Sequence, residues 1–149
     1  MKRFWKKSTA LLLSLALLCA IIIVPASAAS GRSSLYLSYY RAWLTPKSGA
    51  KIEVNIDVQA VGDMDEVGAE EVTIYESSDG GDTWDDVATY NCALFSELMD
   101  HDTYWYYETP ISHQGTAGYK YFAVVTVYAG DSTGSDSREY QTTTVTARN

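Results

Sequence analysis

The sequence predicts an all-β fold, an antiparallel β-sandwich of about seven strands, preceded by a helical signal peptide. Three observations predict it. Residues 1–28 have the composition of a leader, much of the remaining chain alternates apolar and polar residues, and turn signals rich in Gly, Asp and Ser separate short apolar segments. Aromatic and β-branched residues, which favour sheet, are frequent after the leader. By its size, the segment 29–149 is expected to form a single sandwich domain.

The leader has the three parts of a secretory signal. A basic start that includes Lys2 and Arg3 precedes an apolar run over residues 9–24, and Ala26-Ser27-Ala28 supplies the small residues that a signal peptidase reads. The apolar run is shorter than the roughly 20 residues that a membrane-spanning helix needs. We therefore expect cleavage after Ala28, secretion to the extracellular space, and no stable membrane association after cleavage.

Removal of the leader makes the domain strongly acidic. The chain carries 11 Lys and Arg against 19 Asp and Glu, and four of the basic residues lie in the leader, so the net charge of the domain is near −12. This charge repels phosphate backbones, which argues against nucleic acid as a partner. Acidic residues gather in predicted loops, for example Asp63-x-Asp65-Glu66. Weak calcium binding is therefore left open, although no EF-hand pattern is present.

The first half of the domain contains three predicted strands. Residues 35–44 form a Tyr-rich segment that ends before Pro46. Residues 51–60 alternate without exception, with the apolar positions predicted to face the core; these are Ile52, Val54, Ile56, Val58 and Ala60. Residues 62–68 are predicted to be an acidic loop, and residues 72–77 to be the third strand.

A turn motif follows the third strand. Ser77-x-Asp79-x-Gly81-x-Thr83-Trp84 matches the Asp-box, a hairpin that recurs in sialidase-type propellers. In this motif the Asp carboxylate accepts hydrogen bonds from turn amides, Gly81 permits the tight backbone, and Trp84 packs beneath the hairpin. A propeller needs several copies, and this chain has one. We therefore interpret the motif as a structural hairpin that leads into a fourth strand at residues 84–90.

The second half contains three more predicted strands. Residues 91–103 are predicted to be irregular, with one helical turn around residues 93–99, and residues 104–109 to form a short strand that stops at Pro110. Residues 119–128 are predicted to be the longest strand. A loop at residues 130–137 then leads to a Thr-rich closing strand at residues 139–147.

The chain ends in the pattern Gly118-Tyr119-x-Tyr121-x-Ala123-x-Val125-x-Val127, a polar hairpin loop and the Thr-rich strand. This ending resembles the last two strands of immunoglobulin-like and fibronectin type III-like domains. The resemblance implies that Tyr119 or Tyr121 anchors the corner before the penultimate strand. Residues 34–147 also resemble small secreted proteins of unknown function from Gram-positive bacteria. The paired cysteines and core tryptophan of antibody domains are missing, so the resemblance extends to the architecture alone.

Two aromatic clusters form the candidate binding surface. Several Tyr and Trp residues share the first strand, and residues 104–107 are four consecutive aromatics, which a strand must divide between its two faces. The predicted surface comprises Tyr40, Trp43, Trp105, Tyr106 and Tyr107. Exposed flat rings can contact a partner protein or stack on sugars. Cross-strand aromatic pairing that only stabilises the sheet is the third interpretation.

No constellation in the sequence points to catalysis. His101 and His113 are the only imidazoles, and no nucleophile-elbow sequence is present. We therefore expect no enzymatic activity, no cofactor and no defined metal site. The predicted function is that of a secreted, non-enzymatic extracellular interaction module whose partner is an unknown protein or glycan. The alternative is a carbohydrate-binding module that uses the exposed aromatics.

Overall fold

The structure, a computed structural model, describes residues 34–149. The predicted leader at residues 1–28, including the cleavage site after Ala28, lies outside the described residues. Strands account for 71% of the described part and helical turns for 5%, so the all-β prediction is confirmed.

Seven strands and two short 3-10 turns follow one another within residues 34–149. The strands are β1 (Leu37–Pro46), β2 (Lys51–Ser77), β3 (Asp85–Asn91), β4 (Met99–Gln114), β5 (Lys120–Asp131), β6 (Gly134–Gln141) and β7 (Val145–Thr146). The 3-10 turns are Ser48–Ala50 and Ser96–Leu98. All strand pairs are antiparallel, as predicted.

Strand β2 organises the sheet because it pairs with four other strands. Its first half lies between β1 and β4, and its second half lies between β5 and β3. Strands β6 and β7 pair with β5. Strand β1 also packs against β5, β6 and β7 without pairing with them; the ring of Tyr40 meets the ring of Tyr140 edge-on, with centroids 6.2 Å apart. The sheet therefore folds back on itself in a sandwich-like arrangement.

The core lies between the two halves of this folded sheet. The five inward positions predicted for residues 51–60 are all buried. They belong to the same apolar cluster as the alternating residues of β5, which are Tyr121, Ala123, Val125, Val127 and Ala129. Burial of one face of each strand removes this apolar surface from water, which is the main force that holds the two layers together.

The acidic loop predicted at residues 62–68 is instead part of β2. Met64 and Val67 are buried, and this segment pairs with β4 on one side and, from Glu66, with β5 on the other. The acidic residues Asp63 and Asp65 occupy exposed positions. Pairing with β4 is irregular between Gln59 and Met64, so a bulge rather than a loop separates the two halves of β2.

Strand β4 continues beyond Pro110, where the sequence predicts its end. Val54 pairs with Ile111 and Ile56 with Glu108, so two residues of β4, Thr109 and Pro110, lie opposite one residue of β2. This arrangement is a β-bulge. Within residues 34–149, β4 pairs only with β2, so its other edge carries no strand of this segment and tolerates a proline, which has no N–H to donate.

The end of the chain also differs from the prediction. The predicted loop at residues 130–137 shortens to a tight turn, since β6 begins at Gly134. The predicted closing strand is two strands, β6 and β7, separated by residues 142–144. At this break, the Ala123 amide donates to the Thr142 hydroxyl at 2.9 Å and the Thr142 amide donates to the Ala123 carbonyl at 2.9 Å. The predicted helical turn at 93–99 is the shorter 3-10 turn Ser96–Leu98.

Tyr121 anchors the corner that precedes β5. Its buried hydroxyl accepts a hydrogen bond from the Thr116 amide at 2.7 Å and donates to the Glu76 carboxylate. Burial, followed by the hydrogen bond to Glu76, raises the pKa of the Tyr121 hydroxyl. Gly115 lies against this ring, where an added Cβ would be 2.8 Å from the ring carbon Cζ. Of Tyr119 and Tyr121, it is thus Tyr121 whose hydroxyl bonds to the segment before β5.

Candidate functional site

The candidate site lies on the outer face of strands β1, β2 and β4. Cross-strand pairing fixes its arrangement: Asp57 of β2 lies opposite Arg41 of β1 on one side and Tyr107 of β4 on the other. Trp43 pairs with Asn55. Because side chains alternate along a strand, these positions face away from the core that Val54, Ile56 and Val58 line.

Three aromatic side chains on this face form what we call the aromatic platform, Trp43, Trp105 and Tyr107. The Tyr107 ring lies between the other two, with centroids 6.0 Å from Trp43 and 5.8 Å from Trp105. The planes of neighbouring rings are tilted by 45° and 42°. Trp105 is 46% exposed and Tyr107 52% exposed, whereas Trp43 is half-buried.

The carboxylate of Asp57 holds the platform from beneath. The Trp105 indole N–H donates to Asp57 Oδ1 at 3.0 Å, and Arg41 Nε lies 3.5 Å from Asp57 Oδ2. The Arg41 guanidinium in turn lies 4.6 Å from the centroid of the Trp43 ring, a cation–π contact. Asp57 is only 6% exposed. One buried carboxylate therefore restrains rings from two different strands.

Asn55 supports the other end of the platform. Its amide donates to the Thr45 hydroxyl at 2.9 Å and to the Trp43 carbonyl at 3.2 Å, and its carbonyl accepts from the Thr109 hydroxyl at 2.8 Å. These bonds join β1, β2 and β4 side by side. Thr109 reaches Asn55 from the β4 bulge, so the bulge contributes directly to the order of this face.

Two residues of the predicted surface lie elsewhere. Tyr106 is fully buried opposite Val58, and its hydroxyl donates to the Glu97 carbonyl at 2.7 Å. Burial, together with the carboxylates of Asp100, Glu108 and Glu97, raises the pKa of the Tyr106 hydroxyl. Tyr40 is half-buried on the same core-facing side. Alternation along β1 and β4 explains both corrections, because each lies one residue from an outward-facing aromatic.

The sequence did not identify Arg41 and Asp57 as site residues. Both occupy polar positions between apolar ones, so period-two alternation alone could have assigned them to the outer face. Their contact with the platform depends on the register between β1, β2 and β4, and the sequence does not reveal that register. Tyr39 is a further exposed ring at the end of this face, opposite Gln59.

The hairpin motif has the hydrogen bonds that its sequence predicts. Asp79 Oδ1 accepts from the amides of Asp82 and Thr83, both at 3.0 Å, and Asp79 Oδ2 accepts from the Thr83 hydroxyl at 2.6 Å. Ser77 donates to Asp79 and accepts from the Gly81 amide. Gly81 has a φ of 105°, a conformation that favours glycine.

Trp84 packs beneath this hairpin. Its ring meets Phe122 of β5 edge-on at 4.7 Å, and Phe122 stacks on Tyr75 of β2 at 4.8 Å. The hairpin is thus attached to the second half of the sheet, and Ser77, Asp79, Gly81, Thr83 and Trp84 act together as a structural unit.

We expect the stabilising effect of Asp79 to depend on pH. Hydrogen bonds from the Thr83 hydroxyl and amide hold the pKa of Asp79 well below its usual range. Because the folded pKa is lowered, the stabilisation is complete above about pH 4, the ordinary aspartate value, and is lost as the pH falls toward the folded pKa. The variant Asp79→Ala should therefore unfold at lower urea concentration near neutral pH, and its difference from the wild type should shrink below about pH 4. A difference that stays constant on acidification would contradict this expectation.

A second concave feature lies away from the platform. A cleft of about 310 Å³ is lined by Cys92 and His101 together with Glu66, Glu70, Tyr128 and neighbouring residues. His101 Nδ1 lies 3.8 Å from Glu66 Oε1, and both side chains are substantially exposed. None of the hydrogen bonds found within residues 34–149 joins Cys92 to His101. The contacts that are present hold Glu70, whose carboxylate accepts from the Ser137 hydroxyl at 2.8 Å and whose carbonyl accepts from the Cys92 amide at 3.0 Å.

In residues 34–149, no group of three or more His, Cys, Asp or Glu side chains is placed to hold a metal ion; weak calcium binding stays a prediction. The same segment contains no helix that is both long and apolar enough to cross a membrane. Comparison of the chain with protein-family models, with curated proteins and with solved structures finds no match in any of the three.

Proposed function

We propose that this protein is a secreted, non-enzymatic extracellular interaction module that engages its partner through the aromatic platform. The observation that carries this proposal is the combination of exposure and restraint at Trp105, which is 46% exposed while its indole N–H is held by the nearly buried Asp57. Clustered apolar side chains on a protein surface mark interaction sites. Rings that are already fixed lose little conformational entropy when a partner binds.

Features outside the platform also support the proposal. The leader at residues 1–28 supports export. We also propose that the chain is of the kind found among small secreted proteins of Gram-positive bacteria.

We further propose that the sandwich is immunoglobulin-like. The position of Tyr121 at the corner before β5 supports this architecture. An experimental structure in which the Tyr121 hydroxyl does not contact Thr116 would contradict it.

The platform can be tested with a matched pair of variants. The double variant Trp105→Ala/Tyr107→Ala removes two of its three rings, while Tyr104→Ala removes a 55% exposed ring from the same strand that is not part of the platform. Each protein is produced from residues 1–149 in an exporting bacterial host and recovered from the medium, where its intact mass should correspond to a chain that begins at Ala29. Immobilised protein is then exposed to culture supernatant and cell-wall extract.

We expect the wild type and Tyr104→Ala to retain the same material and the double variant to lose most of it. Retained material is analysed for protein by mass spectrometry and for sugar by acid hydrolysis. Thermal unfolding of all three proteins establishes that the double variant is folded, as expected for substitutions of half-exposed side chains. Equal retention by a folded double variant would contradict the proposal.

A further inference from the structure

We infer that the ligand of the aromatic platform is a single chain of a neutral polysaccharide, with sugar rings stacked on the exposed rings of Tyr107 and Trp105. The inference rests on the proposed function, because it assigns a chemical class to the partner at that same surface. Five properties of the platform support it: the spacing of its rings, their tilt, the local balance of charge, the polar groups beside the rings, and the small exposed aromatic area.

The spacing of the rings matches a chain of linked sugars. Centroids follow one another at 6.0 Å and 5.8 Å from Trp43 through Tyr107 to Trp105. These steps are close to the length of one hexose unit along an extended polysaccharide. The C–H-bearing face of a pyranose packs well on an aromatic face, which carries the negative part of the ring quadrupole. The exposed rings of Tyr107 and Trp105 therefore offer positions for two consecutive sugars, and Trp43, whose ring Arg41 contacts, lies one further step away.

The tilt of the rings indicates a single chain rather than a crystalline surface. Neighbouring ring planes differ by 45° and 42°, so the three faces cannot all lie flat on one plane. The right-handed twist of the underlying sheet rotates adjacent strands relative to each other, and Trp43 lies on a different strand from Trp105 and Tyr107. A free polysaccharide chain can twist to follow these faces, whereas the flat face of a crystal cannot.

The charges around the platform favour a neutral ligand. Arg41 is matched by Asp57 at 3.5 Å, and Lys47, farther along the same edge of the sheet, is matched by Glu53 at 3.1 Å. With both cations neutralised locally and the domain near −12 overall, a polymer of uronic acids or sulfated sugars would be repelled. A neutral polymer is not repelled by this charge.

Polar groups at the platform remain available for sugar hydroxyls. Among the hydrogen bonds within the described residues, none uses the side-chain amide of Gln59 or the terminal nitrogens of Arg41. Gln59 pairs with Trp105 and Arg41 is partly exposed next to Trp43. Directional donors beside stacking rings are the usual composition of a ligand site with orientation specificity.

The exposed aromatic area is small for a protein partner. Full burial of an aromatic side chain covers about 150–250 Å², so the half-exposed rings of Trp105 and Tyr107 with the less exposed Trp43 offer roughly 300 Å². A standard protein interface covers about 800 Å² on each partner. A protein partner would therefore have to bury neighbouring surface as well, including the exposed ring of Tyr39 on the same face, whereas a short oligosaccharide need not.

The test is isothermal titration of the protein, recovered as above, with neutral hexasaccharides, namely cellohexaose, xylohexaose and mannohexaose, with and without calcium. Hexagalacturonate serves as the charged counterpart, and microcrystalline cellulose and crystalline chitin as flat surfaces. We expect at least one neutral hexasaccharide to bind, the charged one to bind more weakly, and the crystalline surfaces to retain no protein. The corresponding disaccharide should bind more weakly than the hexasaccharide because it reaches fewer of the polar groups beside the rings.

Single-ring variants test whether stacking carries this binding. Tyr107→Ala and Trp105→Ala should each weaken hexasaccharide binding by about three- to tenfold. Tyr107→Phe, which keeps the ring, and Tyr104→Ala, which lies outside the platform, should bind as the wild type does. Binding that all of these variants preserve would overturn the inference, as would preferential binding of hexagalacturonate or of a crystalline surface.

The outcomes separate this inference from the proposed function. If no saccharide binds but the platform variants lose a retained protein, the polysaccharide inference fails while the proposed interaction function stands. If the platform instead covers itself with a second copy of the chain, sedimentation will show a dimer that Trp105→Ala dissociates, which also overturns the inference. If neither saccharide nor extracellular material depends on the platform, both fail.

Discussion

The variant Tyr106→Ala is expected to lower the free energy of unfolding by about 3–5 kcal/mol, the range found when large aromatic side chains are removed from a core. The Tyr106 ring is fully buried, and its hydroxyl donates to the Glu97 carbonyl at 2.7 Å. Truncation would leave a cavity against β2 and would also release the 3-10 turn at Ser96–Leu98 from β4. Both effects lower the free energy of unfolding.

A conservative variant separates these two contributions. Tyr106→Phe keeps the ring and removes only the hydrogen bond, so it should cost about 0.5–1.5 kcal/mol. Urea unfolding followed by circular dichroism measures both variants. A loss for Tyr106→Ala below about 1 kcal/mol would show that the ring is not in the core. That result would return Tyr106 to the outer surface on which the sequence places it.

The variant Gly68→Ala is expected to destabilise the fold by about 3 kcal/mol or to prevent folding, at the upper end of the effects of overpacking. A Cβ at this position would lie 2.2 Å from the Leu98 carbonyl oxygen and 2.9 Å from Met99 Cα. Both atoms belong to the backbone, so no side-chain rotation relieves the clash. Gly68 pairs with β4 on one side and with β5 on the other, which leaves β2 little room to move.

Gly62 provides the matched control for this substitution. It lies in the same strand at the bulge, and an added Cβ there has no heavy atom within 4 Å. Gly62→Ala should therefore change the free energy of unfolding by less than about 1 kcal/mol, since it mainly restricts the unfolded chain. Equal effects of Gly62→Ala and Gly68→Ala in urea unfolding would contradict the close approach of β2 to the Leu98–Met99 backbone.

Much of the fold follows from alternation in the sequence. Residues 51–60 show one apolar face because the core covers only that side, and the same logic identifies the alternating residues of β5. The prediction failed where side-chain composition and backbone pairing disagree. At residues 62–68 the outward Asp63 and Asp65 suggest a loop, but the backbone hydrogen bonds that keep this segment extended come from β4 and β5, which are distant in the sequence.

The candidate site could also be predicted in part, because side chains alternate between the two faces of a strand. Aromatic composition predicted Trp43, Trp105 and Tyr107 as site residues, and the burial of Tyr106 agrees with the requirement that consecutive aromatics divide between the two faces of a strand. The sequence could not decide which of the four pointed inward. It also could not bring Asp57 beneath Trp105, because 48 residues separate them along the chain and only the register of β2 against β4 joins them.

Strand β2 belongs to both halves of the sheet, so the stability of one half depends on the stability of the other. Both halves also contribute to one apolar core, so unfolding of either half would expose the core residues of the other, and the domain should unfold as one cooperative unit. Cooperativity of this kind links the Asp79 hairpin to the aromatic platform, although they lie at opposite ends of β2. A change that weakens the hairpin reduces the fraction of molecules that present an ordered platform, without altering any atom that a ligand would contact.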